Sequence, residues 1–304
     1  MTDAPERTDD HGQHALQTWV DGRLVPARTT TISAFDRGFR SGEGVFETLR
    51  AYGDHVFRLD AHLRRAIVGA SELGFSTGPQ GELARAVRRT AEANLEALHG
   101  ADSALRLTVS AGTIDPESPF PGQPAGGPTV VVTSHRLTLD PGQHRHGVRA
   151  LAVPLARELP HVKAVSYLVA VTARRRAREQ GADEALLTTP DGHVLEGAST
   201  NVFAVLDGTL VTPPTDAGLL AGVTRAVVLE VADRRRLDVA VRPLHLDELL
   251  AADEAFLTAT TREVVPLVGV GEHPIGTGRP GPVTATVLDG YREEVDRERA
   301  SSAG

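Results

Sequence analysis

Short apolar runs, broken by Gly, Pro, Asp and Asn, recur through most of the chain, and they switch between the period of a strand and that of a helix. TWVDGRLVP sets apolar runs on both sides of Asp21-Gly22, a pair suited to a type I′ hairpin. GVFETLRAY reads as a strand, Gly53-Asp54 as a turn and HVFRL as the returning strand. Asp60 stands at an N-cap position, with Leu63, Ile67, Ala70 and Leu73 on one face of the helix that follows. A second helix fits about 80–98. ALRLTVSAG and PTVVVTS are β-rich, and the Pro/Gly loop TIDPESPFPGQPAGG separates them. The polar, turn-rich LTLDPGQHRHG reads as a linker.

After the linker, VRALAVPLA is a strand and SYLVAVTARRRAREQ a helix that Gly181 can cap. EALLTT, a turn at Asp191-Gly192, HVLEG and NVFAVL form a strand ladder. A helix begins near Gly222, and EAFLTAT is a late strand. The pattern predicts an α+β chain in two domains. Residues 15–137 form a small α/β domain, 138–147 an interdomain loop and 148–294 a larger strand-rich domain. The polar ends, 1–14 and 295–304, are expected to be disordered and flexible tails. There is no internal repeat, and no Gly-rich dinucleotide fingerprint follows a strand.

Composition narrows the function. The 304 residues suit two cores. A net charge of −8 supplies no footprint for nucleic acid or an anionic membrane. With no cysteine there is no disulfide scaffold and no thiol chemistry. No apolar run approaches the ~20 residues of a membrane span, and the N-terminus lacks an apolar signal core. A soluble cytoplasmic protein is expected. His144 and His146, in a polar linker without a nearby carboxylate, read as solvated and not as metal ligands. Arg174-Arg175-Arg176 reads as a solvated helix face.

One residue stands apart. Lys and Arg total 32, and only Lys163 is a lysine. Surface charge is carried by arginine, which cannot lose its proton, whereas a lysine amine can do so and condense with an aldehyde. Lys163 follows a strand and precedes a helix in ELPHVKAVSYLVA, a junction that could hold it rigidly. Downstream, Glu196 in HVLEGASTNVFAV could hold a heteroaromatic nitrogen, as pyridoxal phosphate requires. Taken alone it reads more readily as a solvated strand-end glutamate. Val223 and Thr224 fall at a helix N-terminus, where free N–H groups and a hydroxyl bind anions. Arg65 could clamp a phosphate bidentately, and Thr260 and Thr261 end a strand with hydroxyls.

These residues, in this order, make the chain resemble the class IV, fold-type IV pyridoxal-phosphate aminotransferases, from about residue 17 to about 290. The resemblance is carried by DRGFRSGEGVFETLR, HLRR, the Lys163 segment, GADEALLTTPDGHVLEGASTNVFAV, LLAGVTR and TATTREVVPL. It implies that Lys163 is the Schiff-base lysine and acid/base, and that Glu196 is the partner of the pyridine nitrogen. It puts Arg65, Val223, Thr224 and Thr260 on the phosphate and Leu220 against the ring. Ser199 and Thr200 fall in the loop near the cofactor, and Tyr167 near the ring hydroxyl. It also implies a homodimer whose loops complete each other's pockets, with an amino donor and a 2-oxo acid as substrates.

Within the family, the 18 residues from Lys163 to Gly181, together with GEGVFETLR and TATTREV, are similar to the D-amino acid transaminase and 4-amino-4-deoxychorismate lyase pattern. The chain departs from both at Ala111, where an arginine is expected, and from the D-amino acid transaminases also at TIDPESPF, where an Arg and a His that trap the substrate carboxylate are expected. Arg40 and Arg106 are the substitutes, with Arg262 third, and Phe46 and Thr261 beside them in the substrate pocket. The expected activity is D-amino acid transamination. The alternatives are the lyase and an L-branched-chain or (R)-amine transaminase. A catalytically silent scaffold is argued against by the intact Lys163 and Glu196.

Overall fold

Two sheets organise residues 16–117 and 125–302, which the computed structural model describes. The expectation of a disordered segment over 1–14 falls outside them.

The first sheet takes β1 (Gln17–Val20), β2 (Arg23–Pro26), β3 (Gly44–Tyr52), β4 (His55–Val56), β5 (Ser103–Ser110) and β6 (Thr129–Arg136), in the order β2-β1-β6-β5-β3-β4 and all antiparallel. The β1–β2 hairpin turns at Asp21 (φ 43°) and Gly22 (φ 97°), as its sequence predicts. Helices α1 (Arg37–Ser41), α2 (Leu59–Glu72) and α3 (Gln80–Asn94) belong to this half. Side chains alternate across a strand, so β3 divides its residues between two faces. Leu49 and Ala51 join Leu63, Ala66, Leu83 and Val87 of α2 and α3 in the core. Phe46 and Thr48 point the other way, and Arg106 on β5 is the register partner of Thr48. That second face becomes a wall of the site.

After α4 (Pro141–His146), the second sheet takes β7 (Val148–Val153), β8 (Glu184–Thr188), β9 (His193–Gly197), β10 (Asn201–Leu206), β11 (Thr209–Thr212), β12 (Val239–Val241), β13 (Leu244–His245), β14 (Glu254–Ala259), β15 (Glu263–Val270) and β16 (His273–Pro274). The order is β12-β11-β10-β14-β15-β7-β8-β9-β13, with β16 on β15. β15, β7 and β8 run parallel. Parallel neighbours need a crossover, and α5 (Leu168–Glu179) supplies it between β7 and β8. α6 (Val223–Arg235) and α8 (Pro282–Ser302) cover one face, packing Val227, Val231, Val287 and Tyr291 on Phe203 and Phe256. The short α7 (Leu246–Leu250) closes a corner.

Four details depart from the sequence reading. The segment expected to be a loop, 138–147, contains α4, because the Asp140 side chain accepts from the Gly142 amide and caps it. Of the stretch expected to be a flexible tail, 295–304, the described part, 295–302, continues α8: Val295 is buried in the core, and Glu298 accepts from the Arg58 amide at 2.9 Å. Arg58 (φ 52°), and not Asp60, takes the N-cap position of α2. Finally, α3 stops at Asn94, whose side chain exchanges two hydrogen bonds with the Gln17 backbone (2.7 and 2.9 Å).

Candidate active site

Lys163 lies in the coil between β7 and α5. Its rigidity comes from β3 of the other sheet and not from an element end. The Phe46 amide donates to the Lys163 carbonyl (2.9 Å), the Val165 amide donates to the Gly44 carbonyl (2.9 Å), and Val45 and Ala164 form an antiparallel bridge. The amine therefore emerges beside Phe46, with Nζ 4.7 Å from the ring centroid. Burial, reinforced by the nearby Arg65, holds this amine below the usual lysine range, at about 8.

A cavity of about 290 Å³ opens around it. Of the residues that the sequence singles out, Phe46, Arg65, Arg106, Lys163, Tyr167, Glu196, Ser199, Thr200, Leu220, Val223, Thr224, Thr260, Thr261 and Arg262 line this one space. They come from both sheets, from α2 and α6, and from the coils between elements.

One end suits an anion. Gly222 caps α6 without a side-chain hydrogen bond, so the first amides of the helix are left for a ligand. Arg65, Val223, Thr224 and Thr260 surround that end. A side chain at Gly222 would displace Asn201, since a Cβ there would lie 1.9 Å from Asn201 Oδ1. Farther along, Glu196 is buried and accepts from the Leu220 amide at 3.1 Å. Arg157 ion-pairs with it as well. Burial pushes the Glu196 carboxyl above the usual glutamate range, while Arg157 and the Leu220 amide pull the other way. The hydroxyls of Thr200 and Thr258, both in the cavity lining, are buried and have no hydrogen-bond partner among the described residues. Unpaired buried hydroxyls are costly, and these two belong to residues that border the cavity although the oxygens themselves are covered. A flat heteroaromatic ring with a phosphate fits this set: amides and Arg65 at one end, Glu196 at a ring nitrogen, Leu220 against a face, and Lys163 at an aldehyde.

The other end is a wall of arginine and aromatic rings. Arg106 lies over Phe46 (3.7 Å to the centroid), Tyr167 meets Phe46 edge-on (5.2 Å), and Arg174 lies over Tyr167 (5.5 Å). The Tyr167 hydroxyl donates to the Ala198 carbonyl (2.9 Å). Arg262 is tied to Gln143 (3.0 Å) and Glu184 (3.1 Å).

Some residues sit elsewhere than the sequence suggests. Arg40, expected to line the pocket, is exposed on α1 outside the cavity, with its guanidinium 6.0 Å from the Phe35 ring. Arg174, expected on a solvated face, turns into the cavity because it lies about two helical turns beyond Tyr167 and so shares its side of α5. His144, expected to be solvated, is half-buried with Nε2 3.1 Å from the Arg262 carbonyl. No cluster of metal-ligating side chains occurs among the described residues. The sequence reading missed Arg157, Asn201 and Thr258. Asn201 could have been found as an amide opening an apolar strand. Arg157, in a coil with no period, gives no local signal.

A buried lysine amine in a polar cavity between two sheets, with an anion site at a helix N-terminus, defines an enzyme of covalent amine chemistry. Residues 44–270 match the family described as Amino-transferase class IV. The chain is 31% identical to the D-alanine aminotransferase of Bacillus licheniformis, over 94% of this chain and 100% of that one. It is also 31% identical to the branched-chain-amino-acid aminotransferase of Pseudomonas aeruginosa, over 94% of each. Its fold matches the branched-chain aminotransferase of the thermophilic archaeon Thermoproteus uzoniensis, solved with norvaline, at a TM-score of 0.82 and 29% identity, over 91% of this chain and 94% of that one. Another solved branched-chain amino acid aminotransferase, which carries pyridoxamine 5′-phosphate, matches at the same TM-score of 0.82 and 29% identity. The chain belongs to the class IV aminotransferases.

Proposed function

We propose that this aminotransferase exchanges the amino group of a D-amino acid with a 2-oxo acid, using pyridoxal 5′-phosphate. When bound, the cofactor supplies an electron sink for the carbanion formed at the donor's Cα. Lys163 Nζ takes the Cα proton and later gives it back, acting as base and then acid. Glu196 holds the charge of the pyridine nitrogen. Arg65, Val223, Thr224 and Thr260 hold the phosphate, Leu220 packs on the ring, and Ser199, Thr200 and Tyr167 border it.

The observation that carries the reading is the pair of cations on one ring. Lys163 Nζ and the Arg106 guanidinium both lie against Phe46, at 4.7 and 3.7 Å from its centroid. A small amino acid can span them, with its nitrogen toward Lys163 and its carboxylate on Arg106. Arg106 has no carboxylate partner among the described residues, and this leaves it free for that role. The preference for the D-enantiomer rests on the Lys163-to-Gly181 spacing and on the motifs around β3. Thr261 and Arg262 border the same pocket. Arg40 lies outside the chain's own cavity, so only a second subunit could bring it to substrate. A homodimer is part of this proposal.

One observation favours an L-branched-chain donor: the edge-on Phe46–Tyr167 pair offers an apolar surface to a branched side chain. The test is a half-reaction, with the holoenzyme mixed with D-alanine or with L-leucine while the absorbance of bound cofactor is followed. Bleaching by D-alanine alone supports the proposal. Bleaching by L-leucine alone replaces it with the branched-chain reading. Bleaching by neither brings forward the lyase and amine readings. Lys163→Ala should abolish the response to every donor.

A further inference from the structure

Glu47 is fully buried on β3, on the face opposite Phe46, and takes no part in the chemistry above. Its carboxylate is the centre of a small network. Arg65 donates to it through Nε (2.7 Å) and Nη2 (2.6 Å), a fork-to-fork pair. His62, also buried, approaches from one helical turn earlier with Nδ1 at 2.7 Å. Residues i and i+3 share a helix face, so α2 presents both partners to the same carboxylate. The remaining terminal nitrogen of Arg65 donates to the Ala221 carbonyl (2.9 Å), immediately before the N-cap of α6.

We propose that Glu47 and His62 are positioning residues that fix the Arg65 guanidinium at the phosphate end and lock it to the loop that opens α6. This inference rests on the reading of Arg65 as a phosphate ligand. A free arginine side chain has many rotamers, and a bidentate acceptor selects one before the phosphate arrives. Glu47 stays ionised, held by Arg65 at about 2, against the cost of burial. An ionised carboxylate only accepts, so His62 must direct an Nδ1–H at it. Burial lowers the affinity of His62 for a second proton, which keeps the network at one cation and one anion. Arg65 therefore offers the phosphate directed hydrogen bonds with its charge already balanced. The attraction has to come from geometry, shared with the helix amides and the Thr224 and Thr260 hydroxyls.

This arrangement makes a prediction whose sign is opposite to that of a charge argument. If net charge governed binding, Glu47→Gln would free a cation and tighten pyridoxal phosphate. If positioning governs, Glu47→Gln weakens it. The experiment uses the full-length protein stripped of cofactor, and measures the affinity for pyridoxal phosphate and for pyridoxal, which lacks the phosphate. Glu47→Gln should lose about 10- to 100-fold in affinity for pyridoxal phosphate, the range seen when partners that orient a ligating group are removed. Pyridoxal affinity should change less than about twofold, which also shows that the variant is folded. The 31P resonance of the bound phosphate should shift and broaden. In the Arg65→Met background, Glu47→Gln should cost nothing further. His62→Gln, which keeps a donor, should lose less than Glu47→Gln.

Three outcomes decide the matter. If Arg65→Met fails to separate pyridoxal phosphate from pyridoxal, the phosphate site is wrong and the inference falls with it. If Arg65→Met separates them but Glu47→Gln tightens binding or leaves it unchanged, the positioning role alone is overturned. If Glu47→Gln weakens both ligands equally, Glu47 is merely structural and the proposal fails.

Discussion

The two ends of the cavity hold arginine in opposite ways. On the cofactor side, Arg65 at the anion end is paired bidentately with buried Glu47, and farther along Arg157 is paired with buried Glu196. At the other end, Arg106 and Arg174 rest on aromatic rings, and neither forms an ion pair with a carboxylate among the described residues, although Arg174 is within electrostatic reach of Glu184. The first arrangement balances charge and fixes direction, as suits a cofactor that stays through each turnover. The second leaves positive charge available, as suits an anionic substrate that must be drawn in and released. Stacking on Phe46 and Tyr167 costs little and leaves the guanidinium donors free. Lys163 stands between the two ends, and its position is set by β3, the strand that also carries Phe46 and Glu47 on opposite faces.

This contrast can be broken most directly at Arg106. Arg106→Leu should lower kcat/KM for amino acid donors by about 100-fold, the cost of removing one partner of a desolvated charge pair. Amines without a carboxylate should change less than about threefold in the same steady-state assay. Equal losses for both donor classes would mean that Arg106 supports the wall and does not bind substrate.

A smaller effect should appear as pH is varied. Lys163 must be neutral to capture an aldehyde, and its amine titrates at about 8. A lowered lysine pKa means that the reactive form is already dominant above pH ~8. The rate at which cofactor-free protein captures pyridoxal phosphate should therefore rise about tenfold per pH unit below 8 and level off above it. Rapid mixing with absorbance detection gives this profile. A rise that continued toward the usual lysine value would show that the amine is solvated, and that the cavity does not desolvate it.

The smallest effect is expected at the rim. Arg174 is half-buried and stacked, so it acts by attraction and not by a fixed contact. Arg174→Leu should raise KM for anionic acceptors about threefold at low salt, with kcat unchanged, and the difference should fade as salt is raised. A loss that salt does not touch would place Arg174 in direct contact with substrate, and the contrast between the two ends would then be sharper.

Parts of this organisation were legible along the chain. The lone lysine among arginines marked Lys163, and the Asp21-Gly22 pair marked a hairpin. The break at Gly222 placed the start of α6 correctly. Each of these depends on residue type or on neighbours a few positions away. The misreadings share a different cause. Arg40 was expected in the pocket and Arg174 on a solvated face, yet the fold puts the first on the surface and the second in the cavity. Arg157 lies 39 residues from Glu196, and Arg50 lies 213 from Glu263, and both pairs form. Residues 295–302 look like a polar tail, yet α8 continues through them because the core supplies Val295 with neighbours and Arg58 supplies a donor for Glu298.

By itself, then, the sequence determined which chemistry was present and the local frame of most strands and helices, because propensity, periodicity and turn chemistry act over a few residues. Only the tertiary structure decided which charges meet and which stay unpaired, because the free energy of a charge depends on burial and on partners that the chain brings from far away. Glu47 shows this most clearly. In the sequence it is one of several polar residues in β3, and its role becomes visible only where α2 packs His62 and Arg65 against it.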